Sequence, residues 1–188
     1  MSKKVLIVYG SRYGSTEEIS NKFKQSAEDK GLAVDIINLK SKNIQIPNIN
    51  SYSGVLIGSG ILINRWTKAA KKFLKRNVKE INDNKILVGI YLSSGLAANP
   101  ERRPEAVEKL LIKVFEKIGL ELGDNVLYDA FGGVNDLSEN TNLSGLHRKM
   151  LKMASKMDPD YIVLGERKDW RDWDQINKFI DNFISRIQ

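Results

Sequence analysis

The sequence has no cysteine and only one histidine in 188 residues. The lack of cysteine excludes disulfides, thiolate catalysis, Cys-ligated zinc and Cys-ligated iron–sulfur clusters. The lone His147 has no second histidine or carboxylate at ligand spacing, so it reads as a surface residue rather than a metal ligand. No apolar run reaches the ~18 residues that a membrane span requires. The opening Met1-Ser2-Lys3-Lys4 leads directly into an apolar stretch too short for a signal-peptide core. A cytoplasmic protein is therefore expected, and any redox chemistry must come from a bound organic cofactor.

Acidic residues are outnumbered, 23 against 30 basic ones, for a net charge of +7. Such a chain can seek nucleic acid, an anionic membrane or an acidic partner. Acidic residues are nevertheless interspersed along most of it, so the excess reads first as a solvated, Lys-rich surface, with no nucleic-acid partner expected. The length favours one domain over 1–188.

The most informative stretch is the turn Gly10-Ser11-Arg12-Tyr13-Gly14-Ser15-Thr16. Lys4 to Tyr9 before it is apolar and β-branched, as in a buried parallel strand. After it, Ile19, Phe23 and Ala27 recur every four residues on one face of a helix. Ser15 and Glu18 have capping-box spacing, which starts the helix there. The first amides of a helix lack intrahelical partners and sit at the positive end of its dipole, so this turn suits phosphate. Ser11, Ser15 and Thr16 add hydroxyls, and Gly14 permits close approach. No lysine follows Gly14, which excludes a Walker loop, and Gly10 to Gly14 is mis-spaced for a dinucleotide loop. A terminal monophosphate fits, and FMN is the common cofactor held this way on a doubly wound fold.

The remaining chain repeats the pattern. Gly31 ends helix 1, and Ala33–Leu39 is strand 2, followed by a polar loop or short irregular helix over 40–53. Strand 3, Ser53–Gly60, runs into a turn and a helix from about Thr67 to Val78. Trp66 is assigned to core or first-turn packing in preference to covering a ring. Lys68, Lys71, Lys72, Lys75 and Lys79 share one face of that helix, a wet surface or a docking site for an acidic partner or lipid headgroup. Strand 4, Lys85–Leu92, ends in Ser93-Ser94-Gly95-Leu96. Asn99–Pro104 is a charged connector, and Glu105–Ile118 is a helix. Glu121–Phe131 is strand 5, with Phe131, Gly132 and Gly133 leading into a fourth turn on the same edge. Residues 134–142 lack periodicity. Leu143, Leu146, Met150, Met153 and Met157 then mark an amphipathic helix expected to pack on the sheet, with membrane or quinone contact as the alternative. A last helix spans Trp173–Ile187, capped by Asp172 or Asp169.

Alternating strands and helices imply an α/β doubly wound, five-stranded parallel sheet of order 2-1-3-4-5 with helices on both faces. The turn Ser11–Thr16 resembles the phosphate loop of the flavodoxin family, over nearly the full length of the chain. Within it, Tyr13–Ile19, Asn99–Pro104 and Asp172–Phe179 resemble the branch containing menaquinone-dependent protoporphyrinogen oxidase. The loop after Ser93 lacks the aromatic that electron-carrier flavodoxins place there. The stretch 132–147 is polar and Asn-rich, unlike the porphyrinogen enzyme.

The resemblance implies FMN as cofactor. Ser11, Arg12, Tyr13, Gly14, Ser15 and Thr16 would hold its phosphate. Ser59, Gly60, Ile61 and Leu62 would face one side of the ring, and Ser93, Ser94, Gly95 and Leu96 the other. Arg65, if it reaches the ring's N1–O2 edge, would raise the potential. Arg102 and Arg103 are surface charges, or partners for an acidic substrate. The implied function is an oxidoreductase working with a quinone or a redox partner protein, with peripheral contact to an anionic membrane. The alternatives are a one-electron carrier and an NAD(P)H:quinone reductase.

Overall fold

The computed structural model describes residues 3–141, 143–156 and 162–187. Strands β1 (Lys4–Gly10), β2 (Ala33–Asn38), β3 (Gly54–Gly60), β4 (Val88–Ser93) and β5 (Val126–Phe131) form one sheet of order β2-β1-β3-β4-β5. Every neighbouring pair is parallel. This is the doubly wound order expected from the sequence. β1, β3 and β4 are buried on both faces, which is why their sequences are continuous apolar runs rather than alternating ones.

Helices α1 (Ser15–Asp29) and α6 (Trp173–Ser185) cover one face through Ile19, Phe23, Ile176, Ile180 and Phe183. The other face is covered by α2 (Lys68–Asn84) and by a helix in three parts. The latter comprises α3 (Arg103–Val107), a π turn (Glu108–Ile112) and α4 (Lys113–Ile118). The wider π turn lets the consecutive Leu110 and Leu111 both enter the core. Trp66 is buried as expected, its indole donating to the Leu110 carbonyl at 2.6 Å. Gly31, at φ 79°, closes α1 with amide bonds from Gly31 to Glu28 and from Leu32 to Ala27. Asp172 caps α6, accepting from the Gln175 amide at 3.0 Å.

Four expectations are corrected. Ser15 makes no cap: the N-cap is Gly14, with no side-chain bond, and α1 begins at Ser15, one residue earlier than a capping box on Ser15 requires. Helix α2 runs on to Asn84, because Ile81 continues its buried face and no glycine or proline intervenes. Residues 134–142 contain a strand: β6 (Val134–Asp136) pairs antiparallel with β7 (Arg167–Asp169), both too short to show a period. Helix α5 (Gly145–Ala154) does not pack on the sheet. Leu146 and Met153 are 68% and 64% exposed, and Met157 lies outside the described residues. The other four long helical segments already occupy both sheet faces, leaving none for α5.

Glycine sets the spacing of α6 on the sheet. A Cβ on Gly89 would lie 2.6 Å from Leu56 and 2.9 Å from the Phe183 ring, and one on Gly54 would lie 2.9 Å from the same ring. Gly89→Ala should therefore destabilise the protein by about 1–3 kcal/mol, measured as a lowered urea midpoint at unchanged slope.

Candidate functional site

The register aligns the strand ends: Gly10 pairs with Ser59, Gly60 with Ser93, and Ser93 with Phe131. The turns after β1, β3, β4 and β5 therefore meet at one edge, where doubly wound sheets bind ligands. The first turn is built around its own polar groups. The Ser11 hydroxyl accepts from the Gly14 amide at 3.0 Å, and Gly14 adopts φ 99°, a left-handed value that favours glycine. The Gly14 carbonyl accepts the Glu18 amide at 2.9 Å, so the amides of Ser15, Thr16 and Glu17 begin the helix without a preceding turn to bond to.

Thr16 is fully buried at this point, and its hydroxyl has no hydrogen-bond partner among the described residues. Burying an unpaired hydroxyl costs free energy, so a ligand acceptor at this position would satisfy it. Arg12 adds a buried Nε that is likewise unpartnered, while its other end donates to the Trp66 carbonyl at 3.2 Å. Lys40 donates to the Ser11 carbonyl at 2.8 Å and brings a cation to the loop. These groups, hydroxyls, first-turn amides and two cations, are the donor set that a phosphate monoester requires.

The other turns close on this cradle. Ser15 and Ser93 share a hydroxyl contact at 3.0 Å, joining the first turn to the end of β4. The Ser94 amide bonds the Phe131 carbonyl, and the Ile61 amide bonds the Ser93 carbonyl, both at 2.9 Å. A Cβ on Gly133 would lie 3.2 Å from the Ser93 hydroxyl. Leu62 and Arg65 pair through two backbone bonds of 3.0 Å, with Ile63 and Asn64 both at left-handed φ between them. This is a two-residue hairpin that projects Ile63, 60% exposed, from the edge. Gly95 has open space around it, and Ile61, Leu62 and Leu96 are half-buried.

Two of the sequence-chosen residues turn their side chains elsewhere. The Ser59 side chain is buried and accepts from the Thr67 amide at 3.0 Å, so it anchors the start of α2. The Phe131 ring lies in the core against Tyr91 and Phe179. Gly132 faces the Trp170 backbone, where a Cβ would approach a carbonyl oxygen to 2.0 Å. Tyr13 is partly exposed, and its hydroxyl contacts Nδ1 of His147, their rings 5.5 Å apart edge to face. His147 thus belongs beside the phosphate loop, which nothing in its sequence surroundings indicates. Lys40 was also missed, although its place directly after β2 puts it at the same edge.

The chain between β5 and α6 is fastened to the cradle by Arg171. Its guanidinium is almost fully buried, bonded to Asp169 at 2.8 Å through Nε and ion-paired with Glu18 of α1 at 2.7 Å. Burial alone would raise the Asp169 pKa, but the Arg171 bonds outweigh it and hold the carboxyl below its ordinary value. Burial would likewise lower the Arg171 pKa, and bonds to Asp169 and Glu18 reverse that.

These features define a doubly wound α/β protein whose strand-end cradle is suited to a phosphate. The chain belongs to the flavodoxin family: a model of the flavodoxin domain matches residues 6–161. Protoporphyrinogen IX dehydrogenase [quinone] of Escherichia coli strain K12 is 22% identical over 176 residues, covering 94% of this chain and 92% of that protein. Among solved structures, a flavodoxin from the domain Archaea matches with TM-score 0.54 at 12% identity, over 98% of both chains. A flavodoxin mutant of Fusobacterium nucleatum bound to flavin mononucleotide matches with TM-score 0.50 at 15% identity, over 100% of this chain and 96% of that one.

Two outcomes test the site. Thr16→Val should leave the melting temperature of the ligand-free protein unchanged or slightly raised, since it removes an unpaired buried hydroxyl. The same variant should weaken a phosphate-ester ligand about tenfold by calorimetry. Asp169→Asn should cost about 1–2 kcal/mol near neutral pH. Because the folded-state pKa of Asp169 is depressed, its contribution is present above the ordinary carboxylate range and lost as pH falls. The difference between variant and wild type in urea denaturation should therefore shrink on acidification.

Proposed function

We propose that the chain forms one FMN-binding unit over 1–188 and passes electrons between a reduced substrate or donor and a quinone-type acceptor. The observation that carries this reading is the cradle at the start of α1, with its buried, unpartnered Thr16 hydroxyl. The monophosphate end of FMN matches its donors. When bound, FMN supplies the electron and hydride transfer.

The protein's own residues bind and orient. Ser11, Arg12, Tyr13, Gly14, Ser15 and Thr16 hold the phosphate. Gly60, Ile61 and Leu62, with Ser59 contributing through its backbone, flank the ring on one side, and Ser93, Ser94, Gly95 and Leu96 on the other. Gly132 and Gly133 close the edge, supported by the Phe131 ring in the core beneath. The half-buried Ile61, Leu62 and Leu96 keep water from the ring. Arg65, exposed at the end of the hairpin, adds positive charge near the site. Arg65→Glu should lower the midpoint potential of the loaded protein, and an unchanged potential would remove Arg65 from this role.

The quinone acceptor is supported by the full-length likeness to the E. coli enzyme, whose name carries that acceptor. The substrate side is protoporphyrinogen oxidase-like in kind. A protein of the cytoplasm that touches an anionic membrane at its periphery fits the charge of +7. A second reading, a one-electron carrier, is favoured by the ring-side turns themselves: 61–62 and 94–98 contain no carboxylate or histidine to move a proton.

Anaerobic potentiometry with photoreduced, FMN-loaded protein separates the two. An oxidoreductase should show one two-electron wave and rapid reoxidation by a soluble naphthoquinone. Two well-separated one-electron waves with negligible reoxidation by quinone would overturn the oxidoreductase reading in favour of the carrier.

A further inference from the structure

A groove of about 500 Å³ lies between the loop after β2 and helix α2, away from the cradle. Leu39, Ile44, Pro47, Ile49, Ala69 and Phe73 line it with apolar surface. Ile46 stands at its wall, 39% exposed. Lys72 and Arg76 stand beside it on α2, and Glu80 is the single carboxylate in the lining. An apolar slot with cations at its side is suited to an amphiphile with a negative head.

The surroundings extend that chemistry over a surface. Lys68, Lys72, Lys75, Arg76 and Lys79 are exposed along α2, and Lys42 is exposed on the facing loop. From Lys68 to Lys79 the helix advances about 16 Å. Lys79 is ion-paired with Asp83. Among the described residues, Lys42, Lys68, Lys72, Lys75 and Arg76 have no carboxylate within ion-pair distance. Cations left unpaired while the chain has 23 acidic residues to offer mark a face whose counter-charge comes from outside.

We propose that this face docks on an anionic phospholipid bilayer, with one acyl chain entering the groove and phosphate headgroups resting on Lys72, Arg76 and their neighbours. The inference rests on the peripheral-membrane reading above, deepens it by naming the surface, and is independent of the flavin. Charge complementarity selects the occupant. A second copy of a +7 chain would bring like charge to the same face. An acidic protein would answer the cations but leaves the slot and the protruding Ile46 without a stated use. A lipid surface answers both: headgroups for the cation stripe, hydrocarbon for the slot. The other amphipathic candidate is α5, which has exposed Leu146 and Met153 with Lys149 and Lys152, whereas the groove lies beside α2.

The test is co-sedimentation of the full chain with vesicles of phosphatidylcholine alone and of phosphatidylcholine with phosphatidylglycerol, at low and raised salt. Wild type should bind only the anionic vesicles and be released by salt. K72E/R76E should reduce partitioning by at least about tenfold, K149E/K152E by much less. Ile46→Asp should weaken binding without removing its salt dependence. Melting curves identify any variant that has lost its fold, and for such a variant K72Q/R76Q replaces the charge reversal. No wild-type binding to anionic vesicles would overturn the membrane reading itself. Binding that survives K72E/R76E but is lost in K149E/K152E would leave membrane contact standing and move the surface to α5. Binding to an acidic polypeptide such as poly-glutamate, with none to anionic vesicles, would overturn the lipid assignment in favour of a protein partner.

Discussion

The first turn of α1 is fixed to the sheet by a buried run of hydroxyls, and the cradle depends on it. Ser20 donates to the Thr16 carbonyl at 2.8 Å, and the Tyr91 hydroxyl meets Ser20 at 2.6 Å. Ser20 has one proton, already given to Thr16, so Tyr91 is the donor. Tyr91 is fully buried, which pushes its pKa well up and keeps it protonated for that task. It reaches the helix by lying across Gly58 of the neighbouring strand, where a Cβ would fall 2.5 Å from its ring. Phe23 of α1 stacks on the same ring at 5.3 Å. Two strands and the helix thus converge on one phenol, and Thr16 is placed by them rather than by loop conformation.

The segment between β5 and α6 makes a second contribution. It carries the β6–β7 pair and α5, and among its described residues Leu137 is buried but belongs to neither core layer. Its attachments run to the cradle instead: Arg171 to Glu18, His147 to Tyr13, and Gly133 against the Ser93 hydroxyl. A segment tied to the ligand edge at these points frames the site. The exposed Leu146 and Met153 follow from that position.

The sheet was legible because buried parallel strands are written as apolar runs and their helices as four-residue repeats. Ile19, Phe23 and Ala27 on α1, and Ile176, Phe179, Ile180 and Phe183 on α6, are buried where the spacing put them. The first turn stood out because hydroxyls and glycine fall between a buried strand and a helix, and at that turn the Thr16 hydroxyl is buried without a partner among the described residues. What was not legible depends on contacts between distant residues. The Tyr91–Ser20 bond, the Arg171–Glu18 pair and the Tyr13–His147 contact each join residues far apart in sequence with no local signal. Periodicity also misled at α5, since an apolar stripe specifies a helix but not whether a sheet face remains to receive it. Ser59 sits at the right edge, but its hydroxyl turns inward to Thr67, and only the pleat of β3 decides that.

The most direct measurement compares FMN with riboflavin on the ligand-free protein by calorimetry or fluorescence quenching. The two ligands share the ring and differ in the phosphate. A cradle built from Ser11, Ser15, Thr16 and the first-turn amides predicts FMN binding tighter by at least about a hundredfold, since charged hydrogen bonds contribute roughly 1.5–3 kcal/mol each. Equal affinity for the two, or no binding of FMN, would contradict the assignment of this turn as the phosphate site and the function built on it.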